Sequence, residues 1–320
     1  MARYREKELI GTREVLAAFL FMDKEDFLVP LSSFTQSDSP WRLSTASAIE
    51  GLGSVLSAAT LPLALTHDAV SSSLLQRFDS AAQIRNLKNF SAGEKPTAES
   101  QIAAYRSAKK QAQDFSSSEK GRAKIRDDII DILASHLYTD ALQIAAEQLL
   151  AQTVIGTWTV FETFVRSIAT DWVNAVPASA SSILNAKELK DDIGKQPISF
   201  DTLSSHGFDL SKKMGNALFD GKRLDRFRVM KGVLKALFGT AEVQRSLGHG
   251  LHLLNQERNL LVHNRGVVDA DFKEMTGSES PIGEKLSIEA DSVEASLLAV
   301  RTAIVAVLSA AETKFSESHH

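Results

Sequence analysis

Two residues five positions apart, Arg258 and His263, have side chains that together can cleave RNA. Apolar residues at helical spacing run from Val243 to Leu261, and Arg258 occupies one position of that stripe. A guanidinium in a buried stripe needs an anion opposite it, because an unpaired buried charge costs several kcal/mol. The expected anion is either a carboxylate of the chain, with Glu162 as a candidate, or a phosphate, which suits the planar guanidinium fork.

His263 falls where the same helix is expected to end, and the negative end of the helix dipole favours its imidazolium form. RNA supplies its own nucleophile, the 2′-hydroxyl group. The protein then needs a group that moves protons and a cation that stabilises the more negative phosphorus centre. No His, Asp or Glu residues occur at the spacing of metal ligands, so we expect chemistry that needs neither metal nor cofactor.

The residues around this pair resemble the signature of the HEPN superfamily. Residues 254–269 are LNQERNLLVHNRGVVD, in which the Arg is followed by Asn and the His by Asn-Arg-Gly and an aliphatic–acid pair. Upstream, WTVFETFVR at 158–166 resembles the aromatic and acidic first helix of that family. Downstream, IGEKLSI at 282–288 resembles the segment that leads into its last helix. The resemblance covers roughly residues 120–315.

The resemblance implies a helical bundle that pairs around a two-fold axis and brings an Arg/His set from each copy into one cleft. It implies metal-independent cleavage that leaves a 2′,3′-cyclic phosphate and a 5′-hydroxyl. Carried over, Arg258 binds the scissile phosphate, Asn259 orients the phosphate or the histidine, and His263 is the acid/base. Glu162 and Asn264 are supporting residues. RNA and a second copy of the chain are the implied partners, with an antitoxin protein as a further candidate.

A basic segment follows the aromatic helix. Between Asp209 and Lys235 the chain has eight basic residues against three aspartates, although its overall net charge is −4. Four of these basic residues are predicted to contact the RNA backbone: Lys222, Arg223, Arg226 and Arg228. The alternative is a solvated helical face, which is the commoner origin of such a segment.

Composition limits the class of protein. Gly and Pro are few, at 17 and 7, whereas Ala, Leu, Ser and charged residues dominate, which indicates an all-α protein. The absence of cysteine excludes disulfides and thiol catalysis and favours a reducing compartment. The charged N-terminus carries no secretory signal, and the longest uncharged run, residues 51–66, is too short and polar for a membrane span. We therefore expect a cytoplasmic protein without a membrane partner.

Hydrophobic periodicity predicts two regions: a helical N-terminal region over residues 1–115, of unassigned role, and a HEPN-like helical domain over 116–316. In the first region, helices are predicted over 5–22, over 45–65 with an end near Pro62, and over 75–90. Ser91 to Pro96 is predicted to be a loop.

In the second region, residues 116–119 have the spacing of a capping box. They precede either one very long helix or two helices hinged near Gly156, ended by Pro177. Later helices are predicted on both sides of Asp220-Gly221, from Thr240 to Leu261, and from Asp291 or Ser292 onward, with a loop over 276–281. The count of four or five helices predicts a bundle.

Two functions remain open from the sequence. The first is a metal-independent endoribonuclease, as in a toxin–antitoxin or phage-defence system. The second is a noncatalytic HEPN module that binds RNA, a nucleotide or a partner protein. A purely structural pairing of Arg258 with a core carboxylate and of His263 with helix carbonyls is the alternative at the level of the site.

Overall fold

The computed structural model describes residues 12–36, 38–90, 94–195 and 198–319. These residues form helices and turns without a β-strand, which confirms the all-α class. Residues 12–18 are helical, while the earlier part of the helix predicted over 5–22 lies outside the described residues, as do 91–93 of the predicted loop. The chain divides into two compact units: Met1–Phe21 with Thr60–Glu147, and Met22–Ala59 with Gln148–His320.

The chain starts in the first unit with the helical residues 12–18, passes into the second unit for two helices and then returns to the first. The helices that follow residue 21 are numbered here in chain order, beginning with the two in the second unit. These are α1 (Lys24–Ser32) and α2 (Arg42–Ala59). The first unit contains α3 (Leu61–Leu87), α4 (Ala98–Ser117), α5 (Glu119–Leu137) and the opening turns of α6 (Asp140–Ala175). The remaining helices belong to the second unit: α7 (Ala180–Asn185), α8 (Phe200–Ser205), α9 (Met214–Phe219), α10 (Phe227–Phe238), α11 (Ala241–Ser246), α12 (His249–His263), α13 (Ala270–Thr276) and α14 (Ala290–His319).

The first unit has its own hydrophobic core. α5 presents one residue per turn to it, and the members of this core cluster are Val15, Phe19, Val70, Ile125, Ile129, Leu133 and Ala146. Two helix starts are capped by hydroxyl groups: Thr97 accepts from the Ser100 amide, and Ser118 accepts from the Gly121 amide. The predicted capping box over 116–119 is therefore wrong in register, because Ser118, not Ser116, is the N-cap.

The core of the second unit forms around α6 and α14. Trp158, Phe161, Phe164 and Trp172 of α6 are all at most 2% exposed. Trp172 contacts Trp41 and Phe238, with ring centroids 5.4 and 5.1 Å apart. One face of α14 is buried along most of its length. By length and composition α14 could also span a membrane, with a mean hydropathy of 1.7, but a core helix of this kind passes the same test.

Of two breaks considered in the sequence, the one near Pro62 is confirmed at Thr60, and the possible hinge at Gly156 is not formed. α6 runs through Gly156 without a hinge, and the break in the long apolar stripe lies at Tyr138 and Thr139. Gly156 instead allows close packing, because a Cβ there would lie 3.0 Å from a methyl group of Val55. α2 ends at Ala59, close to Pro62 as predicted, and Pro62 itself stands in the first turn of α3, where its missing amide proton costs nothing.

Three further helix ends differ from the sequence prediction. The helix predicted from Thr240 to Leu261 is two helices, α11 and α12, separated at Leu247 and Gly248. A short helix, α13, was not predicted, and Asp269 caps it by accepting from the Phe272 amide. The last helix begins at Ala290, slightly before the predicted cap.

Candidate functional site

α12 positions the predicted catalytic residues near its C-terminal end. Leu251, Leu254 and Leu260 anchor the helix in the second unit. Arg258 and Asn259 are half-buried, whereas His263 is exposed. Residues four apart lie on the same helix face, so Asn259 and His263 share a face, and Asn259 also accepts a hydrogen bond from Nη1 of Arg258 at 3.1 Å.

The guanidinium of Arg258 has no carboxylate partner among the residues that the structure describes. Glu162, the candidate partner, forms no ion pair with Arg258 or with Arg166 in this part of the chain, so the predicted internal pairing is wrong. Arg166 instead donates to the backbone oxygen of Lys222 at 3.0 Å. Nε of Arg258 is buried with no hydrogen-bond acceptor. Nε is closed to solvent, so an external anion would be bound by the Nη donors that Asn259 does not take.

A turn stabilised by side chains fixes the backbone directly after His263. Asn264 ends α12 and donates from Nδ2 to the Val267 oxygen at 2.6 Å and to Asp269 Oδ2 at 3.2 Å. Arg265 and Gly266 both have positive φ, of 54° and 78°, which turns the chain sharply. Asn264 therefore holds the turn that follows α12.

The segment after this turn pairs with the loop before α14. The Val268 amide donates to the Glu284 oxygen at 2.9 Å, and the Leu286 amide donates to the Gly266 oxygen at 2.8 Å. Two segments that are far apart in the sequence signature, 264–269 and 282–288, are therefore in contact. This pairing holds the C-terminal end of α12 against the rest of the second unit.

Sequence reasoning missed Glu257, which directly precedes Arg258. Its side chain is only 6% exposed, Oε2 is buried with no partner, and Oε1 lies 3.4 Å from the Ser292 hydroxyl. Burial raises the pKa of the Glu257 carboxyl to about 7, although the Ser292 hydrogen bond acts in the opposite direction. The sequence contained one indication of this burial: Glu257 lies three residues after Leu254, on the same buried face of the helix.

The predicted phosphate contacts divide into two groups. Arg226 and Arg228 pair with Asp192, at 3.5 and 2.5 Å, and Arg228 also donates to the Glu188 oxygen at 2.6 Å. These two arginines attach the start of α10 to the 187–194 segment, and their contact with RNA stays a prediction. Lys222 and Arg223 lie in the loop before α10, and the Arg223 side chain is exposed.

Aromatic contacts place the start of α10 beside α12. The Phe227 ring lies 5.8 Å from that of Trp158 and 6.3 Å from that of His252. His252 in turn lies 3.3 Å from the Met275 oxygen through Nε2. The loop that contains Arg223 is therefore followed by the start of α10, which contacts α12, the helix that contains Arg258 and His263.

Comparison with known proteins does not assign this arrangement to a family: no family model, curated protein or solved structure matches the chain. Within the described ranges, no group of three or more His, Asp or Glu residues has the geometry of a metal site. The structure shows a half-buried arginine that has no carboxylate partner among the residues described, and an exposed histidine at the end of the same helix.

Proposed function

We propose that this protein is a HEPN-type endoribonuclease that cleaves RNA without metal, by attack of the 2′-hydroxyl on the adjacent phosphate. The observation that carries the proposal is that Arg258 enters no ion pair among the described residues, while His263 lies exposed at the end of the same helix. An arginine that served only to neutralise a core carboxylate would show that carboxylate within reach.

Each residue has a defined role in the proposed reaction. His263 of one copy accepts the 2′-hydroxyl proton as the new O–P bond forms, and His263 of a second copy protonates the departing 5′-oxygen. Arg258 stabilises the phosphorus centre, which gains negative charge during the attack. Asn259 fixes the guanidinium through the hydrogen bond to Nη1. The products are a 2′,3′-cyclic phosphate and a 5′-hydroxyl.

The proposal includes a setting and an alternative. A cytoplasmic nuclease of this kind acts on cellular RNA, as a toxin or a defence effector does, and it needs a second copy to complete its cleft. The alternative is a noncatalytic module of the same superfamily that binds RNA, a nucleotide or a protein. Cleavage assays separate the two.

The test compares point variants on total RNA in the presence of EDTA. His263→Ala should lower the cleavage rate by about 10²- to 10⁴-fold, because it removes the proton-transfer group. Arg258→Ala should lower it to a similar extent, because it removes the cation that stabilises the phosphorus centre. His249→Ala is the matched control: His249 is exposed at the other end of α12 and should leave the rate unchanged.

Two readouts decide between the alternatives. Products that carry a 2′,3′-cyclic phosphate, and no cleavage of a fully 2′-deoxy substrate, support attack by the ribose hydroxyl. If the wild-type protein leaves RNA intact, or if His263→Ala cleaves as well as His249→Ala, the nuclease proposal is rejected. RNA binding that persists in a noncleaving wild-type protein would then favour the noncatalytic module.

A further inference from the structure

Two exposed phenylalanine rings lie side by side on the surface of the second unit. Phe200 opens α8 and Phe208 follows its end, and their side chains are 72% and 60% exposed. Their ring centroids are 5.3 Å apart with planes inclined by 58°. Two large aromatic side chains that contact each other, yet leave most of their surface in water, form a small platform of the kind that bases stack on.

The backbone at Phe208 is held in an unfavourable conformation. Gly207 and Phe208 have φ values of 67° and 57°, and the Phe208 amide donates to the Leu203 oxygen at 2.9 Å as the helix ends. Glycine adopts the left-handed region freely, but a bulky residue there is strained. Strain that keeps an aromatic ring exposed does not serve core packing, and such strain is concentrated at functional sites.

Basic residues follow the platform closely in the sequence. Lys212 and Lys213 follow Phe208 and enter no ion pair within 4 Å among the described residues. The Thr202 hydroxyl donates to Asp220 at 2.9 Å, which ties α8 to the loop containing Arg223. Carboxylates are present as well: Asp220 accepts from Thr202, and Asp209 accepts from the Ser211 amide at 3.0 Å. Hydrogen bonding by Ser211 lowers the pKa of the Asp209 carboxyl, and Lys213 and Lys212 lie near enough to contribute to this lowering.

We propose that Phe200 and Phe208 bind unpaired bases of single-stranded RNA, while Lys212, Lys213 and Arg223 contact its phosphates. This inference rests on the proposed function and names the substrate class of that site. Cleavage by the 2′-hydroxyl needs a flexible, unpaired strand, and aromatic stacking selects unpaired bases. The loop from Asp220 to Phe227 runs from the platform to His252, roughly 9 Å along α12 from Arg258.

Binding is measured by fluorescence anisotropy of a labelled, fully 2′-O-methylated RNA oligonucleotide, which cannot be cleaved. Phe200→Ala and Phe208→Ala should each weaken binding about fivefold or more. Phe208→Gly is the sharper variant, because glycine relieves the backbone strain while removing the ring. It should therefore weaken binding equally without loss of thermal stability. Tyr138→Ala, at an aromatic side chain that is 80% exposed in the first unit, should bind as wild type does.

A second set of binding measurements tests the phosphate contacts and the preference for single-stranded RNA. The double substitution of Lys212 and Lys213 by alanine should reduce the slope of log affinity against log salt by about 1.4, or 0.7 for each lost phosphate contact. Binding of the same sequence as a duplex should not respond to the Phe208→Gly change.

The inference is overturned if the wild-type protein does not bind the oligonucleotide, or if Phe208→Gly binds it with unchanged affinity. Unchanged affinity of Phe208→Gly would indicate that the two rings bind a protein partner instead of RNA. The outcomes are separable from those of the cleavage test. Weaker binding by the Phe variants together with full cleavage by His263→Ala would keep the platform and reject the nuclease.

Discussion

At the scale of single residues, the sequence alone identified Arg258 as a charged side chain that does not fit the apolar stripe of its helix. Arg258 and His263 stood out because their types break the apolar pattern of α12. Glu257 did not stand out, since a glutamate in a helix is usually solvated. Its burial is caused by α14, which lies about 35 residues further along the chain and contacts it through Ser292. Such a contact cannot be predicted from local spacing.

The buried Glu257 predicts a pH-dependent stability. Its pKa is raised from 4.5 in the unfolded chain to about 7 in the folded protein. Between these values the folded chain holds a proton that the unfolded chain has released, so the free energy of unfolding falls as the pH rises and stays low above pH 7. Glu257→Gln removes this titration. Relative to wild type, the variant should gain on the order of 3 kcal/mol between pH 5 and pH 8.

Urea unfolding of both proteins at several pH values measures this difference. Glu274→Gln, at an exposed glutamate of α13, is the control and should follow wild type throughout. A stability difference between Glu257→Gln and wild type that does not change with pH would show that the Glu257 carboxyl does not titrate in this range.

At the scale of helices, sequence reasoning predicted helical segments better than it predicted their ends. Pro62 predicts a helix end nearby and Gly156 a possible hinge, because proline and glycine usually interrupt helices. In the structure one begins α3 and the other allows close packing of α2 on α6. These roles depend on which neighbour faces the residue. A single sequence does not contain that information.

The packing of α2 on α6 predicts that alanine substitutions at two glycines of α2 change the stability of the protein differently. A Cβ at Gly51 would lie 2.9 Å from a methyl group of Val160, a β-branched side chain that cannot easily move. Gly51→Ala should therefore destabilise the protein by about 1–3 kcal/mol, less the roughly 1 kcal/mol that alanine adds to helix formation. A Cβ at Gly53 would meet the flexible end of Lys24 at 3.2 Å and a methyl group of Leu28 at 3.4 Å, an ordinary contact distance, so Gly53→Ala should be neutral or stabilising.

A double-mutant cycle with Val160→Ala checks the cause. The smaller side chain makes room, so Gly51→Ala should cost at least about 1 kcal/mol less in that background, measured by chemical unfolding. Equal costs in both backgrounds would mean that the helices do not pack through this contact.

At the scale of the whole molecule, the predicted boundary at residues 115 and 116 does not coincide with the division between the two units. It lies within the last turn of α4, inside the first unit. The Ser-rich segment there does end a helix, which is what its composition indicates. However, α2 belongs to the second unit together with residues 148–320, and a contact between segments so distant in sequence leaves no compositional signature.

The proposed nuclease also requires association of two copies, and α12 offers a residue that tests it. Val262 stands next to His263 and is 44% exposed, an apolar side chain at the end of the helix that carries the site. If two copies meet around a shared cleft, Val262 lies at or near their contact, and Val262→Glu places a carboxylate where burial is costly.

Val262→Glu should therefore shift the protein from dimer to monomer and abolish cleavage, while leaving helical content unchanged. Leu43→Glu is the matched control, since Leu43 is 76% exposed on α2 of the same unit. Sedimentation velocity gives the oligomeric state, and the RNA assay gives the activity of the same samples. A variant that stays dimeric and active would place the contact elsewhere. A wild-type protein that cleaves RNA as a monomer would show that one Arg258 and one His263 suffice, because no second histidine would then be present to protonate the leaving oxygen.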